Sequence, residues 1–200
     1  ALPTGYFVTY GGQFESQQAA TRKIGLLGLL SLVGMILVLY SHFKSMTIVT
    51  QILVNIPLAL VGSVAAIYLT GGVLSVATLV GFITLTGIAS RNTIMMISHY
   101  LHLLKEEGET FSKEMVIRGS LERLVPVLMT ALTAGLALIP LALTKGESGK
   151  EILYPVATVI LGGLLSSTLL DMVVTPAIFY RFGRSASERY VASATEEEIM

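Results

Sequence analysis

Cysteine is absent from the 200 residues. That removes disulfides, cysteine-based zinc sites and thiol catalysis, and it leaves the redox compartment undetermined. Neither sign of charge is in excess, with 13 Lys and Arg against 13 Asp and Glu, so no basic surface argues for a nucleic-acid partner. Charge as a whole is scarce: 13% of residues carry it, and 53% are apolar. Soluble domains average about 25% charged residues. The motifs HExxH and GxSxG are missing, and the single aspartate, Asp171, has no second intramembrane carboxylate beside it. The expectation is therefore a protein that is not an enzyme and needs no cofactor.

The remaining sequence is dominated by five apolar stretches, 24–43, 48–69, 74–104, 124–144 and 154–180. They hold 121 residues but only two of the 26 charged side chains, Arg91 and Asp171. Each is at least as long as the roughly 20 residues needed to cross hydrocarbon. Backbone groups in lipid must be satisfied internally, and no strand-period alternation argues for a barrel, so the spans are helices. The fold class is an all-α membrane protein with five transmembrane helices. The first apolar run starts at Ile24 with no cleavage signature after it, which excludes a signal peptide. The chain starts on Ala1 within polar sequence, and the expectation is a piece of something longer.

The links between spans carry orientation. Alternating sides places eight basic residues (Lys44, Lys105, Lys113, Arg118, Arg123, Arg181, Arg184 and Arg189) with the first link, the third link and the tail. The opposite side receives Arg22, Lys23, Lys145 and Lys150. The positive-inside bias then puts residues 1–23 outside, and the link 105–123 and the tail 185–200 in the cytoplasm, around a bundle over 24–184. Within 1–23, Tyr6–Tyr10 alternates like a short strand, and Gln13–Lys23 suits a helix feeding the first span. In the third link, Phe111, Met115 and Val116 fall on one face of a short helix. That helix suits either the membrane surface or a solvated loop.

Costly polar positions are where function inside a membrane should sit. Thr84, Arg91 and Ser98 recur every seven residues, with His102 four further on, and form a polar stripe. Asn92, next to Arg91, can hydrogen-bond across a helix interface. Asp171 lies 17 residues after Tyr154, as Arg91 lies 17 after Leu74, and the two spans run in the same direction. The expectation is an ion pair between them. The alternatives are a lone protonated carboxyl and one near enough the cytoplasmic edge to reach water. Thr130 and Thr133 stand roughly level with Arg91 and suit bonds to their own backbone. Gln51 and Asn55, just before Pro57, suit repair of the hydrogen bonds that the proline frees. Met95, Met96, His99 and His102 cluster at one end of the third span, but methionine is common in membrane helices, so no metal site is assigned. Gly162, Gly163, Ser166 and Ser167 predict close helix packing.

Several strings resemble one family. Gly5-Tyr6-Phe7 and Tyr10-Gly11-Gly12-Gln13-Phe14-Glu15 resemble the segment before transmembrane helix 8 of heavy-metal efflux pumps. These are the Cus/Czc-type permeases of the resistance-nodulation-division (RND) superfamily. Gly81-Phe82-Ile83-Thr84-Leu85-Thr86-Gly87-Ile88-Ala89-Ser90-Arg91-Asn92 and Ile97-Ser98-His99-Tyr100 resemble their helix 10. Leu124-Val125-Pro126-Val127-Leu128-Met129-Thr130 resembles the start of helix 11, and Thr175-Pro176-Ala177 the end of helix 12.

The resemblance implies the C-terminal half-bundle, helices 8–12, of a proton-driven inner-membrane antiporter that exports metal cations. Its partners would be the remaining helices and porter domains of the permease, a homotrimer, a periplasmic adaptor, an outer-membrane channel and the lipid bilayer. Arg91-Asn92 aligns with a Lys-Asn pair whose lysine partners carboxylates on helix 4, and Thr130 with a threonine of the same relay. Arginine keeps its charge where lysine can lose it, which favours a fixed counter-charge over a proton carrier. Asp171 matches no motif of the family. Proton relay and coupling are therefore expected at Arg91, Asn92, Thr130 and Asp171, with the helix 4 carboxylates outside this chain. The rival readings are an independent small five-helix carrier or channel, and a non-transporting subunit that associates with an intact pump.

Overall fold

The apolar runs become long helices because backbone groups in lipid must be satisfied within their own segment, and Pro57, Pro126, Pro140 and Pro176 are accommodated inside them. The computed structural model describes residues 13–72 and 74–199. Among these are α1 (Gln13–Phe43), α2 (Met46–Leu69), α3 (Val76–Lys105), α4 (Lys113–Ala142), α5 (Leu153–Phe182) and α6 (Arg184–Ile199). Five of them, α1 to α5, are long and apolar enough to cross a membrane. At 1.5 Å per residue, the 24 residues of α2 reach about 36 Å. Hydrocarbon is about 30 Å thick. The strand-like Tyr6–Tyr10 lies outside the described residues.

Helix starts follow local chemistry. Ser75 and Thr78 form a reciprocal capping box at α3, and Ser112 accepts from the Met115 N–H at the start of α4. Gly71 takes a φ of 62°, which closes the short turn between α2 and α3.

The third link departs from the expected separate surface helix. Met115 and Val116 are buried, and Phe111 stacks on Tyr180 and packs at a tilt against Phe179. The apolar face at 111–116 thus finds protein rather than a membrane surface, and the helix runs on unbroken through Pro126 to Ala142.

α5 is central and packs against α2, α3 and α4. Its contact with α2 is a small-residue crossing. A Cβ built on Gly62 would strike Ser166, and it would come 2.5 Å from the Gly162 carbonyl oxygen. The Ser63 hydroxyl donates to the Val159 carbonyl at 2.7 Å, and Ser166 to that of Leu58 at 3.1 Å. Membrane helices associate through such backbone approach and hydrogen bonding rather than through water exclusion. The close packing expected at Gly162 and Ser166 is what the α2–α5 crossing contains.

The main apolar core lies at the end where α1, α3 and α5 finish. It joins Phe43, Ile48, Ile52, Met96, Ile97, Tyr100, Leu103, Met115 and Phe179. α6 closes this end through Ala186, with Tyr190 against Phe43. By contrast, α1 and α4 turn leucines such as Leu29, Leu30, Leu132 and Leu136 outward. An apolar exterior of this kind suits lipid or neighbouring helices.

A polar hub and a cationic cavity

Two polar sites lie on opposite sides of α3. The first is buried where α2, α3 and α5 meet. Asn55 Nδ2 stands 2.7 Å from Thr93 Oγ1, 2.6 Å from Asp171 Oδ1 and 2.6 Å from Thr175 Oγ1. The Thr93 and Thr175 hydroxyls also donate to Asp171 Oδ1, at 2.9 and 3.2 Å. Asp171 is 1% exposed. Its Oδ2 has no hydrogen-bond partner among the described residues. One turn along α2, Gln51 is also buried, with neither amide atom bonded among the described residues.

The second site is a cavity of about 270 Å³ between α3, α4 and α5. Thr84, Gly87, Arg91 and Asn92 line it from α3, Thr130 from α4 and Leu164 from α5. Open space surrounds Gly87, where an added Cβ would meet nothing within 4 Å. Thr84 and Thr130 send their hydroxyl protons into their own helices, to Val80 O and Val127 O at 2.9 Å each. Their oxygen lone pairs stay available to the cavity. Arg91 is exposed here, and no ion pair holds it among the described residues.

The four sequence-selected residues therefore divide. Arg91, Asn92 and Thr130 share the cavity, and Asp171 sits in the hub. The expected Arg91–Asp171 ion pair is not formed. Successive helical residues turn by about 100°, so Thr93 points about 200° from Arg91. Asp171 bonds the Thr93 face of α3.

A second expectation also changes: Asn55 does not repair the ladder around Pro57 but bonds α3 and α5. Thr93 and Thr175 are hub residues that the sequence pattern alone does not select. The available signals were Thr93 beside Asn92, and Thr175 one turn after Asp171.

The polar stripe of α3 is likewise split. Ser98 and His102 line a separate cavity with His42, Lys105 and Tyr190. His99 Nε2 lies 2.7 Å from Glu122 Oε2, and its ring stacks on His102 with centroids 6.3 Å apart. Met95 is exposed while Met96 is in the core. Among the described residues no three His, Cys, Asp or Glu side chains gather as a metal cage.

Five apolar helices around a buried polar hub, with a cation at a cavity beside it, define the membrane-embedded bundle of a polytopic protein. The chain belongs to the AcrB/AcrD/AcrF family, whose model matches residues 1–183. It is 41% identical over 199 residues to Protein HelA of Legionella pneumophila, across 100% of this chain and 19% of that protein. It is 37% identical over 187 residues to the cobalt-zinc-cadmium resistance protein CzcA of Cupriavidus metallidurans, across 94% of this chain and 17% of that one. A crystal structure of a heavy metal efflux pump superposes with a TM-score of 0.77 at 40% identity, covering 91% of this chain and 18% of the pump. The chain thus spans about a fifth of the length of these relatives. The all-α, five-helix fold and the resemblance to heavy-metal RND permeases agree with the sequence reading.

Proposed function

We propose that this chain is the C-terminal membrane half-bundle of a proton-driven RND permease that exports metal cations. The observation that carries the reading is the grouping of Arg91, Asn92 and Thr130 around one cavity, with Arg91 lacking a counter-ion among the described residues. A cation among membrane helices is expensive unless it is paired or reaches water. Carboxylates supplied by the remaining helices of the permease would complete it. When those carboxylates take protons they release Arg91, and when they lose protons they recapture it, which gives a two-state element able to move helices. Asn92 and Thr130 hold the polar path beside the guanidinium. Asp171 contributes from the hub rather than from this cavity.

Residues 1–23 face the periplasm and the tail faces the cytoplasm of the inner membrane. The assembly is a homotrimer with porter domains, a periplasmic adaptor and an outer-membrane channel. The relatives' names, cobalt-zinc-cadmium resistance among them, support divalent cations as cargo.

The test is proton-dependent export of Zn²⁺, Co²⁺ and Cd²⁺ by cells carrying the assembled system. Arg91→Ala should abolish export at normal protein level. Unchanged export would overturn the role of Arg91, and flux from the chain reconstituted alone would favour the independent carrier.

A further inference from the structure

Where α3 ends and α4 begins, one imidazole is held from both sides. His99 Nε2 lies 2.7 Å from Glu122 Oε2, and His99 Nδ1 lies 3.5 Å from Arg123 Nη2. An ionised carboxylate only accepts, and a guanidinium only donates. The two contacts therefore fix the ring. Nε2 carries the hydrogen that Glu122 accepts, and Nδ1 keeps the lone pair that receives Arg123. Each contact in the chain Arg118–Glu122–His99–Arg123 then holds one hydrogen. Moving the ring hydrogen to Nδ1 would set a lone pair against the carboxylate and an N–H against the guanidinium.

A second proton on the ring keeps two of these three contacts and breaks the third. Nδ1–H would face the Arg123 N–H, donor against donor and cation against cation. His99 is the one hydrogen-bond partner of Arg123 among the described residues, and the Arg123 Nε is buried with none. Protonation of His99 and its contact with Arg123 therefore exclude each other. Solvent reaches the pair, since the His99 side chain is 13% exposed and that of Glu122 39%.

The position along α4 gives this contact a consequence. Pro126, three residues after Arg123, lies inside the helix. Proline has no N–H, so the carbonyl of Glu122, four residues back, loses its ladder bond. On one side of this weakened turn, Met115 and Val116 are anchored in the core. Ser120 gives its hydroxyl hydrogen to Val116 O and accepts that of Tyr100, each at 2.7 Å. On the other side, Thr130 lines the Arg91 cavity.

The other charged and titratable groups nearby are committed elsewhere. On α3, His102 stacks on the ring from 6.3 Å and lines a separate cavity with Lys105, with His42 of α1 and with Tyr190 of α6. Glu106 pairs with Lys105, and Arg118 holds Glu107 and Glu109 of the link. α2 carries no charged residue. On α5, Asp171 bonds the Thr93 face, Tyr180 stacks on Phe111 and Arg181 lies over Phe182.

We propose that His99 is a proton sensor whose protonation releases Arg123 and frees α4 to bend at Pro126. A proton from solvent bonds to Nδ1, and Arg123 swings away from the imidazolium. Loss of that proton restores the contact. The Tyr100–Ser120 bond persists, so α4 turns about it rather than leaving α3. Histidine is the side chain whose ordinary titration falls between about pH 5 and 8. Acidity at this end of the bundle is thereby felt at Thr130, about two turns along α4, because the proton shifts the population of the two forms. The sensor does not depend on what the bundle transports.

The full chain in lipid nanodiscs provides the test. Nitrogen-15 NMR of labelled histidine reports the ring, with the His99 signal assigned by its loss in His99→Gln. The chain has no cysteine, so Glu114→Cys and Leu136→Cys, both on exposed positions of α4, can carry spin labels that report its bend. At about pH 8 the ring should show a bare Nδ1, and at about pH 5 both nitrogens protonated with a changed label distance. His99→Gln, whose amide donates to Glu122 and accepts from Arg123, should keep the alkaline distance throughout. Arg123→Ala should keep the acid distance throughout. A hydrogen on Nδ1 in the alkaline form would overturn the sensor, as would a ring that takes no second proton while the protein is folded. So would titration of His99 with no change in label distance, or a pH-dependent distance that persists in either variant.

Discussion

Asn55 and Asp171 are 116 positions apart in the chain, yet the amide nitrogen of one lies 2.6 Å from a carboxylate oxygen of the other. That contact, with Thr93 and Thr175 beside it, is where three membrane helices are joined by side-chain hydrogen bonds. The small-residue crossing of α2 on α5 lies further along the same pair, at Gly62, Gly162 and Ser166. Backbone proximity at one point and polar bonding at the other fix both the distance and the rotation of α2 relative to α5. The side of α3 left over faces the Arg91 cavity.

Removing the carboxyl should destabilise the bundle. Asp171→Ala leaves Asn55 and two hydroxyls buried with one acceptor fewer, and an orphaned buried polar group costs about 1–3 kcal/mol. Interhelical bonds in membranes average nearer 0.6 kcal/mol because the reference state finds partners too, so the lower part of that range is expected. Asp171→Asn keeps the size and an acceptor and should cost less. Thermal unfolding in detergent, followed by near-ultraviolet circular dichroism, checks the order wild type, then Asn, then Ala.

Two glycine substitutions should differ sharply. A Cβ at Gly162 would collide with Ala66 and approach the Gly62 carbonyl oxygen to 2.7 Å, a backbone atom that cannot swing aside. Gly162→Ala should therefore push α2 from α5 and cost about 1–3 kcal/mol, as overpacking does. A Cβ at Gly34 meets nothing within 4 Å. Gly34→Ala should be neutral, or stabilising by up to about 1 kcal/mol through helix propensity. Melting temperatures of the two variants decide the matter.

The five apolar helices are visible in sequence because length and composition alone set the requirement for crossing lipid. The small residues around Gly162 are visible because close approach needs the absence of side chains. Rotation is not visible. Arg91 and Asp171 match in depth, but sequence spacing carries no information on which face of α3 meets α5, and Thr93 holds that face. Sequence adjacency links Asn55 to Pro57, whereas Thr93, Asp171 and Thr175 are its neighbours in space. The start of α4 was masked by its charge: Glu114, Arg118 and Glu122 sit on a helix whose other face, with Met115 and Val116, enters the core.

Arg118 gathers the link between α3 and α4. Its guanidinium reaches Glu107 and Glu122 at 2.8 Å, and Glu109 as well. These groups are partly exposed, so salt should weaken them. We expect Arg118→Ala to speed proteolytic cleavage within residues 106–112. Raising ionic strength should speed cleavage of the wild type and leave the variant nearly unchanged. Equal cleavage of both proteins at low salt would show that the ion pairs do not hold the link.

Arg91 and Thr93 allow stability and coupling to be separated on one helix. Arg91 makes no hydrogen bond or ion pair among the described residues, and its side chain is exposed at the cavity. Arg91→Ala should accordingly leave unfolding of the bundle in detergent unchanged or slightly favour the folded state, because it removes an unpaired charge from a membrane-spanning helix. Thr93 is fully buried and bonds both Asn55 and Asp171. Thr93→Val keeps the shape but deletes the hydroxyl, so it should lower the melting temperature while leaving the Arg91 cavity intact. In the assembled system the order reverses: Arg91→Ala should abolish proton-dependent metal export, and Arg91→Lys should retain part of it by keeping the charge. Melting curves and vesicle transport, measured on the same preparations, give the comparison. If Arg91→Ala melts as early as Thr93→Val, the cavity arginine is a structural tie of the bundle rather than a charge held ready for partners.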